Sequence, residues 1–168
     1  QNWSTYLDGV LNLDPNADPG AKATPIPQSV IPQYPTQGMS ADQIHAFQAD
    51  LLAKLQELSG WWLRRMAAVK EPIHEKLTLL WHNHFATSAE KVNAAHLMAV
   101  QNEKLRTLAL GDFYALAYAM LSVGAMMHWL DGDSTTAKNP NENLSREFLE
   151  LFCLGHGDAW PAGDLAVQ

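Results

Sequence analysis

"MSADQIHAFQADLLAKLQELSGWWLRRMAAV", residues 39–69, decides the fold class. Ser40 with Gln43 three residues on has the form of a capping box, and Met39 and Ile44 occupy the two positions of a hydrophobic staple, so a helix starts here. Beyond that start Ile44, Phe47, Leu51, Leu55, Leu58, Trp62, Met66 and Val69 recur at steps of three and four. Such spacing forms one apolar stripe and predicts a long amphipathic helix, with Ser59-Gly60 as a place for a bend.

Toward the C-terminus the same logic repeats. Pro72 in "KEPIHEK" suits a first helical position and ends what precedes it, starting a helix that reaches about Phe85. Thr87 with Glu90 predicts a second capping box and a helix ending near Gly111, after which Asp112 caps another. "FYALAYAMLSVGAMMHWL", residues 113–130, holds 18 residues without Asp, Glu, Lys or Arg, the length of a membrane span. Ser122, Gly124 and His128, and the amphipathic helices on both sides, favour instead a buried helix broken near Gly124, with Met126 and Met127 as core filler. After the polar "LDGDSTTAK", Asn139 is the expected N-cap of a last helix, with Pro140 at its first position, Glu142 at its third and Gly155 at its end. No segment alternates as a strand, and no repeat or Gly-rich phosphate loop occurs. The fold class is all-α, a multi-helix orthogonal or bundle-like domain.

Toward the N-terminus, residues 3–11 make a short helix, and prolines then crowd Asp14–Gly38 too densely for a helix interior. This stretch reads as an extended surface strap whose Ile26, Val30, Ile31 and Tyr34 place parts of it against the body. The organisation that follows is a short helix plus Pro-rich strap over 1–39, a helical core domain over 40–157, and the tail of a truncated continuation over 158–168. At 168 residues the chain is long enough for one domain with a real core. A net charge of −7 disfavours nucleic acid and anionic lipid as partners. Cys153, the single cysteine, has no intramolecular disulfide partner and reads as a small buried apolar residue. "QNWSTYLDGV" shows no basic stretch leading into an apolar one, so no signal peptide is visible.

Chemistry concentrates in two places. His82 and His84 in "LLWHNHF", two apart on a helix, point about 200° from each other and cannot share a metal there. His84 aligns with Ile73, Leu77, Leu80 and Trp81, the apolar face, and is the expected buried histidine, while His82 aligns with Glu75, Thr78 and Leu79. In "NENLSREFLELF" Glu142, Arg146 and Glu150 form a four-step charge ladder expected to be solvated. Glu147 falls among Leu144, Phe148, Leu151 and Leu154, where a lone carboxylate costs several kcal/mol unless paired. The economical arrangement brings Glu147 to His84 as a buried pair, serving either as a core polar clamp or as a general base. His128 is an interface histidine at a helix end that can join the same cluster, and one of Trp61 and Trp62 has to be core. No zinc motif is present: paired histidines four apart and Cys pairs at ligand spacing are both missing.

"LLWHNHFATSAEKV", "QNEKLRTLALGDF", "HWLDG" and "NPNENLSREFLELFCLGHG", in this order over about residues 60–157, resemble the bacterial family known as domain of unknown function 1800. Two stretches depart from it: "SVGAMM" stands where the family has an Asp-Pro-Ala-Met-Leu type turn, and "DAWPAGDLAVQ" replaces its Tyr-Thr-Glu and Asp-Val segment. The resemblance implies the N-terminal half of a longer protein, a periplasmic or exported setting, and a sulfatase-like neighbour protein. It marks out His82, His84, Asn141, Glu142, Arg146, Glu147 and Glu150 and names no reaction. Two functions remain. One is a scaffold or binding module of a bacterial cell-envelope protein. The other is a metal-assisted or general-base hydrolase with its site between the WHNHF and NENLSREFLELF helices. In that enzyme His84 and Glu147 are the catalytic candidates, His82, His84 and Glu147 the candidate metal ligands, and Asn141, Glu142, Arg146 and Glu150 a binding rim. Its cofactor would be a divalent metal ion, for which no specific motif speaks.

Overall fold

The stretch that opens the core domain folds as one unbroken helix. In the computed structural model, which describes residues 2–28, 38–136, 138 and 141–155, α3 runs from Ala41 to Ala68. Its capping box is formed: Ser40 Oγ accepts from the Gln43 amide at 3.3 Å, and Gln43 Oε1 accepts from the Ser40 amide at 2.8 Å. Ser59 Oγ bonds back to the Leu55 carbonyl, and the helix continues through Gly60. The expected stripe holds at Leu51 and Leu58, but Ile44 is exposed and the buried line then moves to Trp61 and Arg65, leaving Trp62 and Met66 half-buried. Two polar attractions cause the shift. The Trp61 indole N–H donates to the Thr24 carbonyl at 2.9 Å, and Arg65 is drawn inward to Glu75.

The other elements are all helical, and no β-strand occurs among the described residues. They are α1 Trp3–Leu11, α2 Pro19–Ala23, α4 Ile73–His84, α5 Ala89–Val92, α6 Ala95–Leu108, α7 Phe113–Leu121, α8 Gly124–Trp129, a 3-10 turn Gly132–Ser134, α9 Glu142–Phe148 and a π-helix Leu149–Leu154. The helix expected to start at Thr87 starts at Ser88 and breaks at once, because Asn93 adopts a left-handed backbone (φ 46°) that asparagine tolerates. Thr87 instead donates its hydroxyl to the side chain of buried Gln101. Asp112 caps α7 as expected, through the Ala115 amide. The apolar run breaks at Ser122–Val123, just ahead of Gly124, and no helix among the described residues is long and apolar enough to cross a membrane. The last helix is capped by Asn141, with Glu142 its first residue; Asn139 and Pro140 lie outside the described residues, as do Val30, Ile31, Tyr34 and 156–168.

Helix α6 sits between two apolar clusters. Leu105 joins Phe85, Leu116, Met120, Met126, Leu144, Phe148 and Phe152 on one side, while Ala95, Met98 and Ala99 join Leu58, Trp61, Val92 and Ala125 on the other.

The proline-rich segment contains a helix after all, with Pro19 at the first position of α2, where the missing amide costs nothing. Polar groups pin this segment to the body, whereas Ile26 is exposed. Asp18 is buried, and its two oxygens accept from four backbone amides: Gly20 and Ala21 at the start of α2, and Lys70 and Glu71 in the α3–α4 turn. Burial pushes its carboxyl upward, but the four amides outweigh that and hold it below the ordinary range. Gly20 has no alternative, since a Cβ there would lie 1.9 Å from the Ala68 carbonyl oxygen. Helix α1, by contrast, buries no residue and is tied down by the Tyr6 hydroxyl donating to Glu71.

Replacing Asp18 removes a cap and strands the part-buried amides of Lys70 and Glu71. Asp18→Ala should therefore lower the unfolding free energy by about 2–4 kcal/mol. Asp18→Asn should recover part of this, because its amide oxygen can still accept at one of the two sites. Urea titration followed by circular dichroism checks both, and equal stability of Asp18→Ala and wild type would refute the double role.

Candidate functional site

Helix α4 turns its polar stripe inward. His74, Glu75 and Thr78 are buried, Trp81 and His82 are half-buried, and Leu79, Leu80 and His84 face outward, the reverse of the apolar face expected from its leucines. The cause is Glu75, which lies between two buried arginines. Arg65 Nε donates to Glu75 Oε1 at 2.7 Å, Arg106 Nε donates to the same oxygen at 2.7 Å, and Arg106 Nη2 reaches Oε2 at 3.0 Å. The Trp62 indole N–H adds a fourth bond to Oε2 at 2.9 Å. Burial pushes the Glu75 carboxyl upward, but Arg106, then Arg65 and Trp62, outweigh it and hold it below the ordinary range.

The arginines carry the network further. Arg106 donates to Asn102 at 2.7 Å and to Glu103 at 2.8 Å, and Arg65 donates to the Pro15 carbonyl at 3.0 Å and Asn16 Oδ1 at 2.8 Å. Asn16 closes the circuit by donating to Glu103 at 2.7 Å. Both guanidiniums lie over Trp61, with ring-centroid distances of 5.9 and 5.5 Å. With Glu103 included, two positive charges meet two negative ones. His74, beside Glu75, is 6% exposed and neither ring nitrogen has a partner among the described residues.

The histidine pair lies at the other end of α4. His82 is half-buried and edge-on to Trp62 at 5.0 Å; its burial holds it below the ordinary histidine range, hence neutral at pH 7. His84, expected to be buried, is exposed, and its Nε2 lies 2.7 Å from the Phe152 carbonyl oxygen. A carbonyl only accepts, so Nε2 carries the proton. Trp81, Phe85 and Phe113 surround the imidazole edge-on at 5.7, 4.7 and 6.0 Å.

Glu147 does not join His84. It is half-buried and accepts from Asn143, one turn away on α9 itself. The buried line of this segment runs Leu144, Phe148, Phe152, and Leu151 and Leu154 are exposed, because the helix widens to π geometry from Leu149 and leaves the register expected of an α-helix. Arg146 also turns to Asn143 and makes no ion pair with Glu142, which is exposed. Glu150 is half-buried. Asn141 caps α9 through the Leu144 amide at 3.1 Å and donates to the Asp131 carbonyl at 3.2 Å. Cys153 is half-buried, and burial pushes its thiol upward.

The "HWLDGD" turn is the remaining polar constellation. His128 Nδ1 and Asp133 are in direct hydrogen-bond contact, and Lys91 bonds the Asp131 carboxylate at 2.9 Å and the Trp129 carbonyl at 2.7 Å. Gly132 is pressed against Leu144, whose Cδ1 would be 2.4 Å from an added Cβ. Among the described residues, no group of three or more His, Cys, Asp or Glu side chains is placed to hold a metal ion.

A family model described as "Protein of unknown function (DUF1800)" matches residues 1–165 of the chain. No curated protein and no solved structure matches it.

Removing one partner of the buried cluster leaves an uncompensated charge. Glu75→Gln and Arg106→Leu should each cost about 3–5 kcal/mol, and the double replacement less than their sum. The Glu75 carboxyl is lowered in the folded state, so its contribution is present above the unfolded value of about 4.3 and is lost as pH falls through the folded value. The gap between wild type and Glu75→Gln should thus be full at pH 7 and shrink in acid. A gap unchanged from pH 7 to pH 3 in denaturant titrations would refute the ionised assignment.

Proposed function

We propose, for a chain that belongs to the DUF1800 family, a role as a non-catalytic helical scaffold or binding module of a bacterial cell-envelope protein. One observation carries the reading. The charges of Arg65, Glu75 and Arg106 bond one another and the backbone inside the core, an arrangement that holds a shape and keeps these three groups from solvent. Outside, where α4 ends, α7 begins and the π-helix passes, large apolar side chains face outward, Tyr114 at 76% and Tyr118 at 65% exposure among them. Apolar surface of this kind is characteristic of a binding face. The cell-envelope setting and a sulfatase-like neighbour rest on the family resemblance.

A metal-assisted or general-base hydrolase is the second reading, favoured by one specific feature. His84 gives its Nε2 proton to the Phe152 carbonyl, which leaves Nδ1 as the acceptor on an exposed ring. A histidine oriented through one nitrogen by a carbonyl has the posture of a base or metal ligand at the other. Glu147, on α9, and His82 are the further candidates.

Thermal unfolding with Zn²⁺, Mn²⁺ or Fe²⁺ separates the two. The scaffold reading expects a melting temperature unchanged within about 1 °C. A resident metal at a hundred times its dissociation constant adds about 2.7 kcal/mol, or about 5–10 °C for a chain of this size. A rise of that order, lost in His84→Ala, would overturn the scaffold in favour of the enzyme. The scaffold reading also expects His84→Ala and Glu147→Ala to add within about 0.5 kcal/mol in a double-mutant cycle, since each side chain has its own partner.

A further inference from the structure

We infer that residues 14–24 form a strap that opens as one unit from the rest of the fold and, in opening, hands Arg65 of the ion cluster to water. Apolar packing does little to hold this segment. Of residues 2–28 only Asp18 and Ala21 are buried, and Ala21 brings a single methyl group, whereas α6 alone buries Ala95, Met98, Ala99 and Leu105. A segment with so few buried apolar groups belongs to the low-stability end of a fold. Its ties are polar and reach far along the chain. Asp18 accepts from the Lys70 and Glu71 amides at 3.0 and 3.1 Å, the Thr24 carbonyl accepts the Trp61 indole N–H at 2.9 Å, and the Pro15 carbonyl and Asn16 Oδ1 accept from Arg65 at 3.0 and 2.8 Å. Water can take the place of either partner in each bond, so each contributes only the small difference between a protein partner and a water.

Geometry makes these ties one unit. Asp18 caps α2 with one oxygen, through Gly20 and Ala21, and holds the α3–α4 turn with the other, so the helix and the turn are released together. The five residues of α2 are too few to persist as a helix once free. Gly20 is seated so close to α3 that an added Cβ would lie 1.9 Å from the Ala68 carbonyl oxygen, which leaves no partly lifted position for a larger residue. On the body's side the released groups are Trp61 and Arg65, 2% and 3% exposed, with the guanidinium 5.9 Å from the ring centroid. Arg65 keeps Glu75 and loses its two other acceptors, while Arg106 keeps Glu75, Asn102 and Glu103. The strap therefore closes one side of the cluster, and the other side stays intact when it lifts.

Native-state hydrogen exchange followed by NMR tests this on the whole chain. The amides of Gly20, Ala21, Lys70 and Glu71 and the indole N–H of Trp61 should share one protection factor, about a hundredfold or more below that of Leu105 and Met120 in the core. Asn16→Ala, at an exposed position, should lower all five by about tenfold and leave Leu105 and Met120 unchanged, because it removes the strap's hold on Arg65 and Glu103. Gly20→Ala, which blocks seating, should abolish protection at the five probes while the core keeps its own. Five probes as protected as Leu105 would overturn the inference, since the segment would then open only with global unfolding. An Asn16→Ala effect confined to Gly20 and Ala21 would overturn it too, by separating the strap from the turn and from Trp61. Loss of the whole fold in Gly20→Ala would do the same, making the segment part of the body. These outcomes are independent of the metal response that separates scaffold from enzyme.

Discussion

A single carboxylate, Glu75, holds three helices and the N-terminal segment in register. It accepts from Arg65 on α3, Arg106 on α6 and Trp62 on α3, and through Arg65 it reaches Pro15 and Asn16. Taking these ions out of water is costly, and an apolar cluster of the same volume would often be as stable. The ions supply direction instead. Leucines on α3, α4 and α6 could slide past one another by a turn, whereas a carboxylate satisfied by two guanidiniums and an indole has one geometry in which all its lone pairs are matched. The rotation of α4 and the inward turn of Arg65 follow from that geometry, while Asp18 and the Trp61–Thr24 bond complete the docking of residues 14–24.

Much of the helical layout is legible in the residues themselves. The Ser40–Gln43 box, the Asp112 cap and the break before Gly124 are local signals, complete within four residues, and each stands in the fold. What escapes is decided at a distance. Thr87 and Ser88 are equally good caps on local grounds, and the choice falls to Ser88 because Gln101, fourteen residues on, engages the Thr87 hydroxyl. The leucines of α4 predict the wrong face because its orientation is set by arginines on other helices. A hint was present: Arg65 sits seven residues after Leu58, two helical turns along the same line, where a surface arginine does not belong.

The pairing of the candidate residues was not legible in the sequence. His84 and Glu147 each have a partner, but not each other: the Phe152 carbonyl for the histidine and Asn143 for the carboxylate. The widening to π geometry at Leu149 explains part of the difference, since a spacing rule built on 3.6 residues per turn cannot anticipate where a helix changes its own period. Asn141, marked by the resemblance as part of a binding rim, caps α9 and holds the Asp131 carbonyl, so at least one residue of that rim shapes the chain locally.

The long-range bonding of Asp18 and Asn16 bears on how the chain acquires its shape during synthesis. As the polypeptide leaves the ribosome, the amides of Lys70 and Glu71 that complete Asp18 follow it some fifty residues later, and the Glu103 that Asn16 engages follows nearly ninety later. Until α6 has emerged, Glu75 faces one arginine instead of two. Residues 14–24 therefore settle only after the segments that complete their bonds, and a nascent chain short of Arg106 holds an incomplete ion cluster of the sort that keeps intermediates open to chaperones.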